Sequence, residues 1–242
     1  MKFFFYNIAH GIKPNKSFFS QINQLRLINK NFLDMLLKPL REIRPDILAL
    51  VEIDSGSLRS RKINETKYIA SKLDYKFSFY HKYNGTIVAY LPILRKHGSA
   101  IIYNRKIDVK TNPFYFNHGF KRVIVKSNFI YKNNKFSLYI LHFSVRKKIR
   151  KLQFQELTDI IQKDNNKIIL VGDFNLFDGE KELKNFISNT GLIIYPNNQP
   201  TFPSWNPKIK IDYLITSKNI RIKTFKIENM LLSDHLAFSF EI

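Results

Sequence analysis

The feature that most constrains the fold is the segment 167–175, whose sequence is KIILVGDFN. An uninterrupted apolar run of this kind is typical of a strand buried on both faces inside a layered α/β domain. We expect Gly172 to let the chain turn at the tip of this strand. Asp173 and Asn175 would then face a common opening, where a carboxylate and an amide can act on a bound group.

A second polar pair lies near the C-terminus. Asp234 and His235 stand directly before the apolar residues 236–238, which predict another buried strand. Carboxylate and amide oxygens next to an imidazole suit a hard divalent cation that works beside a proton carrier. The two segments together indicate chemistry on a phosphate group.

The remaining pattern predicts alternating strands and helices in an α/β (α+β) domain built on mixed or mostly antiparallel sheets. Strands are predicted at 2–6, 46–51, 98–103, 122–131, 135–143, 168–171, 210–216 and 237–242. Helices are predicted at 21–40, 64–73, 149–163 and 180–190, the last ending at Gly191 as a C-cap. Asn133 and Asn134 predict a hairpin turn.

Polar side chains recur where the predicted strands end or begin. They are Asn7, Glu52, His142, Asp173, Asn175, Asp212, Asp234 and His235. Loops gathered on one edge of a sheet are a common place for an active site, so we expect these residues to meet. Glu52 by itself indicates a functional site, because burying an unpaired carboxylate at the end of an apolar strand costs free energy and is unlikely to serve the fold.

Seven short blocks carry a family resemblance that covers nearly the whole chain. They are YNI (6–8), LVEID (50–54), GSAII (98–102), LHF (141–143), GDFN (172–175), IDYL (211–214) and SDH (233–235). In this order the series resembles the endonuclease/exonuclease/phosphatase superfamily. The resemblance implies a four-layer sandwich, in which two packed, mostly antiparallel β-sheets are flanked by helices, and residues 1–242 would form a single domain.

The resemblance also implies a phosphoester hydrolase that depends on Mg²⁺ or Mn²⁺. The implied metal ligands are Glu52, Asn7 and Asp234. The implied catalytic residues are His142, Asp173, Asn175, Asp212 and His235, and the implied phosphate contacts are Asn7, Lys121 and Arg122. Apurinic endonucleases carry an acidic residue at the position of Ala9, which counts against that branch.

The implied roles agree with the charge that such a reaction develops. Negative charge builds on the phosphate oxygens, and a cation with two imidazolium donors, His142 and His235, would offset it. Asp212 beside His235 would raise the pKa of the imidazole and fix its tautomer. The sequence offers no evident acidic partner for His142.

Charge extends the prediction to the substrate. The 242-residue chain has 40 Lys and Arg against 19 Asp and Glu, a net charge of +21. Such a field attracts polyanions, so nucleic acid is the first expected substrate. An anionic lipid head group or a small phosphoester is the alternative, and a non-catalytic binding protein on the same scaffold is a third. Coding bias toward Lys, Asn and Ile is a rival explanation of the charge.

Other classes of protein are disfavoured. The absence of cysteine excludes disulfides and thiolate metal sites. No stretch approaches the roughly 18 apolar residues of a membrane span, and the apolar start is too short for a signal peptide. We expect a cytoplasmic monomer without an obligate protein partner.

Overall fold

Two six-stranded β-sheets form the centre of the computed structural model, which describes residues 1–9, 30–83 and 95–242. In spatial order, the first sheet contains β11 (Thr224–Glu228), β12 (Ala237–Glu241), β1 (Lys2–Asn7), β2 (Ile47–Asp54), β4 (His97–Asn104) and β3 (Tyr75–His81). The second contains β5 (Lys110–Tyr115), β6 (Val123–Tyr131), β7 (Asn134–His142), β8 (Lys167–Asp173), β10 (Asp212–Thr216) and β9 (Ile193–Ile194).

The sheets are mixed, with antiparallel pairs predominating. β1 pairs with β2, and β7 with β8, in parallel, whereas the other eight pairings are antiparallel. Each sheet has a covering helical layer. α1 (Lys30–Ile43) and α2 (Glu65–Leu73) pack on the first sheet, and α3 (Lys147–Gln162) and α4 (Lys184–Thr190) pack on the second. The predicted four-layer sandwich is confirmed.

The alternating direction of the side chains along β1 shows why the layers stack in this order. Phe3 and Phe5 point into the core between the two sheets, and Phe4 and Tyr6 point toward α1 and α2. Successive side chains of a strand face opposite sides, so a run that is apolar at every position requires a partner layer on each face. The same reasoning applies to the run 168–171 of β8.

The helix ends follow local capping rules. Asn64 caps α2, since its Oδ1 accepts a hydrogen bond from the backbone N–H of Lys67 at 2.9 Å. Gly191 ends α4 in the left-handed conformation, with φ of 66°, which confirms the predicted C-cap. No helix in the described ranges combines the length and apolar character that a membrane crossing requires.

Several predicted details differ from the structure, and one lies partly outside the described residues. The turn between β6 and β7 is formed by Lys132 and Asn133, whose φ angles are 47° and 61°, one residue earlier than expected. The segment Glu180–Leu183 is a 3₁₀ helix that precedes α4. Residues 21–29 of the first predicted helix lie outside the described ranges. The four strands that the pattern did not predict are β3, β5, β9 and β11.

Gly172 does not turn the chain, because β8 continues through Asp173. A side chain at Gly172 would place its Cβ 2.3 Å from the carbonyl oxygen of Leu141 on the neighbouring strand β7. Glycine is therefore required here for the close approach of two parallel strands, which in turn sets His142 opposite Asp173.

Candidate active site

Strand direction brings the polar residues to one end of the sandwich. The parallel strands β1 and β2 both end there, as do β7 and β8, whereas the antiparallel strands β10 and β12 begin there. Side chains from both sheets consequently surround one opening, which we call the mouth. The mouth is lined by Asn7, Glu52, Lys82, Lys121, His142, Asp173, Asp212, Asp234 and His235.

Asp173 is the centre of this arrangement. Its Oδ2 accepts a hydrogen bond from Nδ2 of Asn7 at 3.0 Å and lies 3.3 Å from Nε2 of His142 and 3.8 Å from Nε2 of His235. Burial alone would raise the pKa of Asp173, but the hydrogen bond with His142 and the charge of His235 hold it well below its usual range. The buried carboxylate is thus ionised at neutral pH.

Asn175 supports Asp173 instead of facing the mouth with its amide. Its backbone N–H donates to Oδ1 of Asp173 at 3.0 Å, and its Nδ2 donates to the carbonyl oxygen of Phe143 at 2.9 Å. The φ of Asn175 is 51°, a left-handed conformation that asparagine tolerates better than most residues. The GDFN turn therefore fixes the orientation of the carboxylate.

His235 and Asp212 form a buried pair. Nδ1 of His235 lies 2.9 Å from Oδ2 of Asp212, which also accepts a hydrogen bond from the Thr201 hydroxyl at 2.5 Å. Burial lowers the pKa of His235, but the carboxylates of Asp212 and Asp173 outweigh it and raise the pKa to about 10. The ring of Phe202 packs on the imidazole with its centroid 5.2 Å away. His235 is an imidazolium at neutral pH.

His142 differs from the expectation of a second imidazolium. Its pKa is lowered to about 4 by burial and by the positive charges of Lys121 and Lys82. Its acidic neighbours are Asp173 and Glu52, whose Oε1 lies 3.6 Å from Nε2. Nζ of Lys121 is in direct contact with Nε2 of His142, the nitrogen that also faces Asp173 and Glu52.

Glu52 reaches the mouth through a β-bulge. The register between β2 and β4 shifts between Val51 and Ile53, and Glu52 has a φ of 56°. A bulge re-aims one side chain without disturbing the apolar residues on either side, which here are fully buried. The side chain of Glu52 remains 18% exposed, so its carboxylate can bind a group that enters the mouth.

Two lysines accompany Glu52. Nζ of Lys82 lies 3.2 Å and Nζ of Lys121 3.9 Å from its Oε1. Lys121 was predicted as a phosphate contact, and the structure places it in the mouth. Lys82 was not predicted, because nothing distinguishes it from the other basic residues and because strand β3, which precedes it, was not recognised.

The remaining predicted residues are Arg122, Asp234 and Asn7. Nε of Arg122 donates to the carbonyl oxygen of Phe116, which closes the loop 116–122. Oδ1 of Asp234 accepts from the Ser233 hydroxyl at 3.2 Å, and burial raises the pKa of Asp234. Oδ1 of Asn7 accepts from the backbone N–H of Ala9 at 3.0 Å, so Asn7 presents its nitrogen, and not a ligand oxygen, to Asp173.

The residues of the mouth fit a divalent cation. Asp173, Asp212 and His235 each offer one ligand atom, and these atoms lie within 4.8 Å of one another. Oδ1 of Asp212 is buried and has no hydrogen-bond partner among the described residues. The predicted metal ligands Glu52, Asn7 and Asp234 are not members of this group.

Comparison with known proteins agrees with this geometry. The family model described as Endonuclease/Exonuclease/phosphatase family matches residues 5–235. The chain belongs to this family. Its members are phosphoester hydrolases that typically depend on a metal ion. Among curated proteins, none has a significantly similar sequence.

Solved structures show the same fold. An endonuclease/exonuclease/phosphatase family protein from Leptotrichia buccalis has a TM-score of 0.76 at 19% identity, with 100% of this chain and 99% of that chain covered. The human Nocturnin catalytic domain has a TM-score of 0.73 at 18% identity, with 99% and 92% covered. A mannosyl-6-phosphatase from Bacteroides thetaiotaomicron has a TM-score of 0.73 at 16% identity, with 100% and 98% covered. At these identities the likeness concerns the fold alone.

Proposed function

We propose that this chain hydrolyses a phosphodiester by attack of water on phosphorus, with Mg²⁺ or Mn²⁺ as cofactor. The observation that carries the proposal is the convergence of two histidines and an asparagine on the single carboxylate of Asp173, with Glu52 within 4 Å of the same His142 nitrogen. A structural ion pair does not need this many polar groups from separate strands at one opening.

Each residue has a role that follows from its charge state. Asp173 is ionised and orients the attacking water by accepting a hydrogen bond from it, while Asn7 donates to the same carboxylate and keeps it in place. His235 is an imidazolium held by Asp212, and it donates to the negative charge that develops on the phosphate oxygens.

The basic residues bind the substrate in this proposal. Lys121, in contact with His142, and Lys82, held by Glu52, present two ammonium groups to the phosphate. Glu52, Asp173 and Asp212 would hold the metal ion, with Asp234 nearby. The bound cation supplies Lewis-acid stabilisation of the phosphate charge.

Charge gives two candidate classes of substrate. Nucleic acid is one, because the net charge of +21 attracts polyanions. A phospholipid head group is the other, because a positive surface also binds an anionic membrane. Small phosphoesters are a third possibility that a substrate panel would include.

The test is a substrate panel with Mg²⁺, with Mn²⁺ and with EDTA. It contains plasmid DNA, single-stranded DNA, RNA, phospholipid vesicles and bis(p-nitrophenyl) phosphate. We expect cleavage that EDTA abolishes and that Asp173→Asn lowers by about two to four orders of magnitude. Asp178→Asn, which changes an exposed carboxylate on the loop after Asn175, is the matched control and should keep the full rate. Rates that neither EDTA nor Asp173→Asn changes would refute the proposal.

A further inference from the structure

Exposed apolar side chains are concentrated on the loops around the mouth. Six large hydrophobic residues on these loops have 37–60% of their surface exposed. They are Leu58, Phe120, Val145, Phe177, Trp205 and Leu231, and we call them the rim. The other exposed large hydrophobic residues of the described chain lie on α1, β3, β5, β6 and β9. The loops described at the opposite end of the sandwich contribute none.

The rim is continuous with the catalytic residues. Phe120 precedes Lys121, which contacts His142. The ring centroid of Phe177 lies 6.4 Å from that of Phe202, the residue that packs on His235. Trp205 follows Ser204, whose backbone N–H donates to the carbonyl oxygen of Asp234 at 2.7 Å. The apolar side chains therefore approach the mouth on loops from both sheets.

The charges of the same loops are mostly positive. Arg61, Lys62, Arg146 and Lys208 are exposed there. On the described parts of these loops, Asp178 is the one exposed carboxylate, and Nζ of Lys147 neutralises it at 2.6 Å. The surface around the mouth thus combines apolar side chains with exposed positive charge, which is the composition that binds an anionic membrane interface.

The rim composition favours a lipid surface over nucleic acid. Bases stack on aromatic rings, but three of the six rim residues, Leu58, Val145 and Leu231, are aliphatic and offer no ring. The six residues also come from six separate loops around an opening. This arrangement fits a flat membrane surface better than the path of a single strand of nucleic acid. An interface with apolar side chains and basic residues can sit at the boundary of head groups and acyl chains.

We propose that the rim docks the mouth onto an anionic phospholipid surface and that the phosphoester cleaved there is a lipid head group. The choice of substrate rests on the hydrolase function proposed above, whereas the docking itself does not. Hydrolysis of a phosphodiester bond would add water across the P–O bond, so that one product carries the new hydroxyl group and the other the phosphate.

Trp205 provides a direct measurement, because it is the only tryptophan of the sequence. The protein carrying Asp173→Asn is mixed without metal with vesicles of phosphatidylcholine, with or without phosphatidylglycerol. We expect a saturable blue shift of Trp205 emission and quenching by brominated acyl chains, both requiring phosphatidylglycerol. The double change Phe120→Ser and Leu231→Ser should weaken vesicle binding roughly tenfold or more. Ile130→Ser, which removes an equally exposed apolar residue of β6 far from the mouth, is the matched control and should not change it.

The outcomes separate docking from chemistry. Absence of a shift with anionic vesicles, or equal losses for the rim variant and the Ile130 control, would overturn the docking proposal. A single-stranded oligonucleotide that shifts Trp205 when vesicles do not would assign the rim to nucleic acid and would overturn it as well. Metal-dependent hydrolysis of bis(p-nitrophenyl) phosphate, measured separately on the protein with Asp173 intact, tests the proposed function and should be equal in the rim variant and in the wild type.

Discussion

Glu65 gives the sharpest test of the electrostatics behind the site. It is the first residue of α2 and is fully buried, and its Oε2 accepts a hydrogen bond from the backbone N–H of Asp54 at 2.8 Å. Its Oε1 has no hydrogen-bond partner among the described residues. Burial raises the pKa of Glu65 to about 8, and the nearby Asp54 carboxylate acts in the same direction. Glu65 is therefore a neutral acid at neutral pH.

The sign of the pH dependence follows from proton binding. The folded state binds this proton more tightly than the unfolded state, in which the pKa is near 4.5. The contribution of Glu65 to the free energy of unfolding is therefore complete below pH 4.5 and decreases as the pH rises toward 8. The slope reaches about 1.4 kcal/mol per pH unit midway between the two pKa values and is smaller close to each of them, so the loss between pH 5 and pH 8 is roughly 3 kcal/mol.

Glu65→Gln keeps the shape of the side chain and removes the titration. We expect the unfolding free energy of the variant, relative to the wild type, to increase by roughly 3 kcal/mol from pH 5 to pH 8, measured by urea denaturation. Glu42→Gln on the exposed surface of α1 is the control for removal of a carboxylate that is not buried. A pH-independent difference for Glu65→Gln would refute the assignment of a neutral buried acid. The result matters for the site, because Asp54 lies two residues beyond Glu52.

Two other predictions concern the mouth and the strand beneath it. Asp212→Asn removes the nearest negative charge from His235, so the pKa of His235 should fall from about 10 and activity should begin to decline at a lower pH. An NMR titration checks this, and an unchanged His235 pKa would contradict it. Gly172→Ala should lower the unfolding free energy by about 3 kcal/mol or more, since its Cβ would lie 2.3 Å from the Leu141 carbonyl oxygen. Gly191→Ala should lower the unfolding free energy by only about 1 kcal/mol, measured by denaturation. Its Cβ would meet open space, so the cost comes only from the left-handed backbone conformation.

The strands that sequence alone revealed are the interior strands of the two sheets. Each of them has a neighbour on both sides and lies between two layers, so its sequence is an apolar run, as in β1, β2 and β8. The missed strands β3, β5, β9 and β11 are the four edges. An edge strand has one partner and a partly exposed face, and Pro113 even interrupts β5, so the local pattern carries little signal.

The sequence also determined most of the polar residues that meet, because these stand at the ends of buried strands and the order of the blocks is that of a known family. The tertiary structure alone decided how these residues are charged. His142 is neutral because it is buried and because Lys121 and Lys82 approach it from distant parts of the chain. His235 is charged because Asp212 and Asp173 approach it from another strand pair. The bulge that turns Glu52 into the mouth depends on the register of β4. Charge state and register are properties of neighbours in space, which no local pattern records.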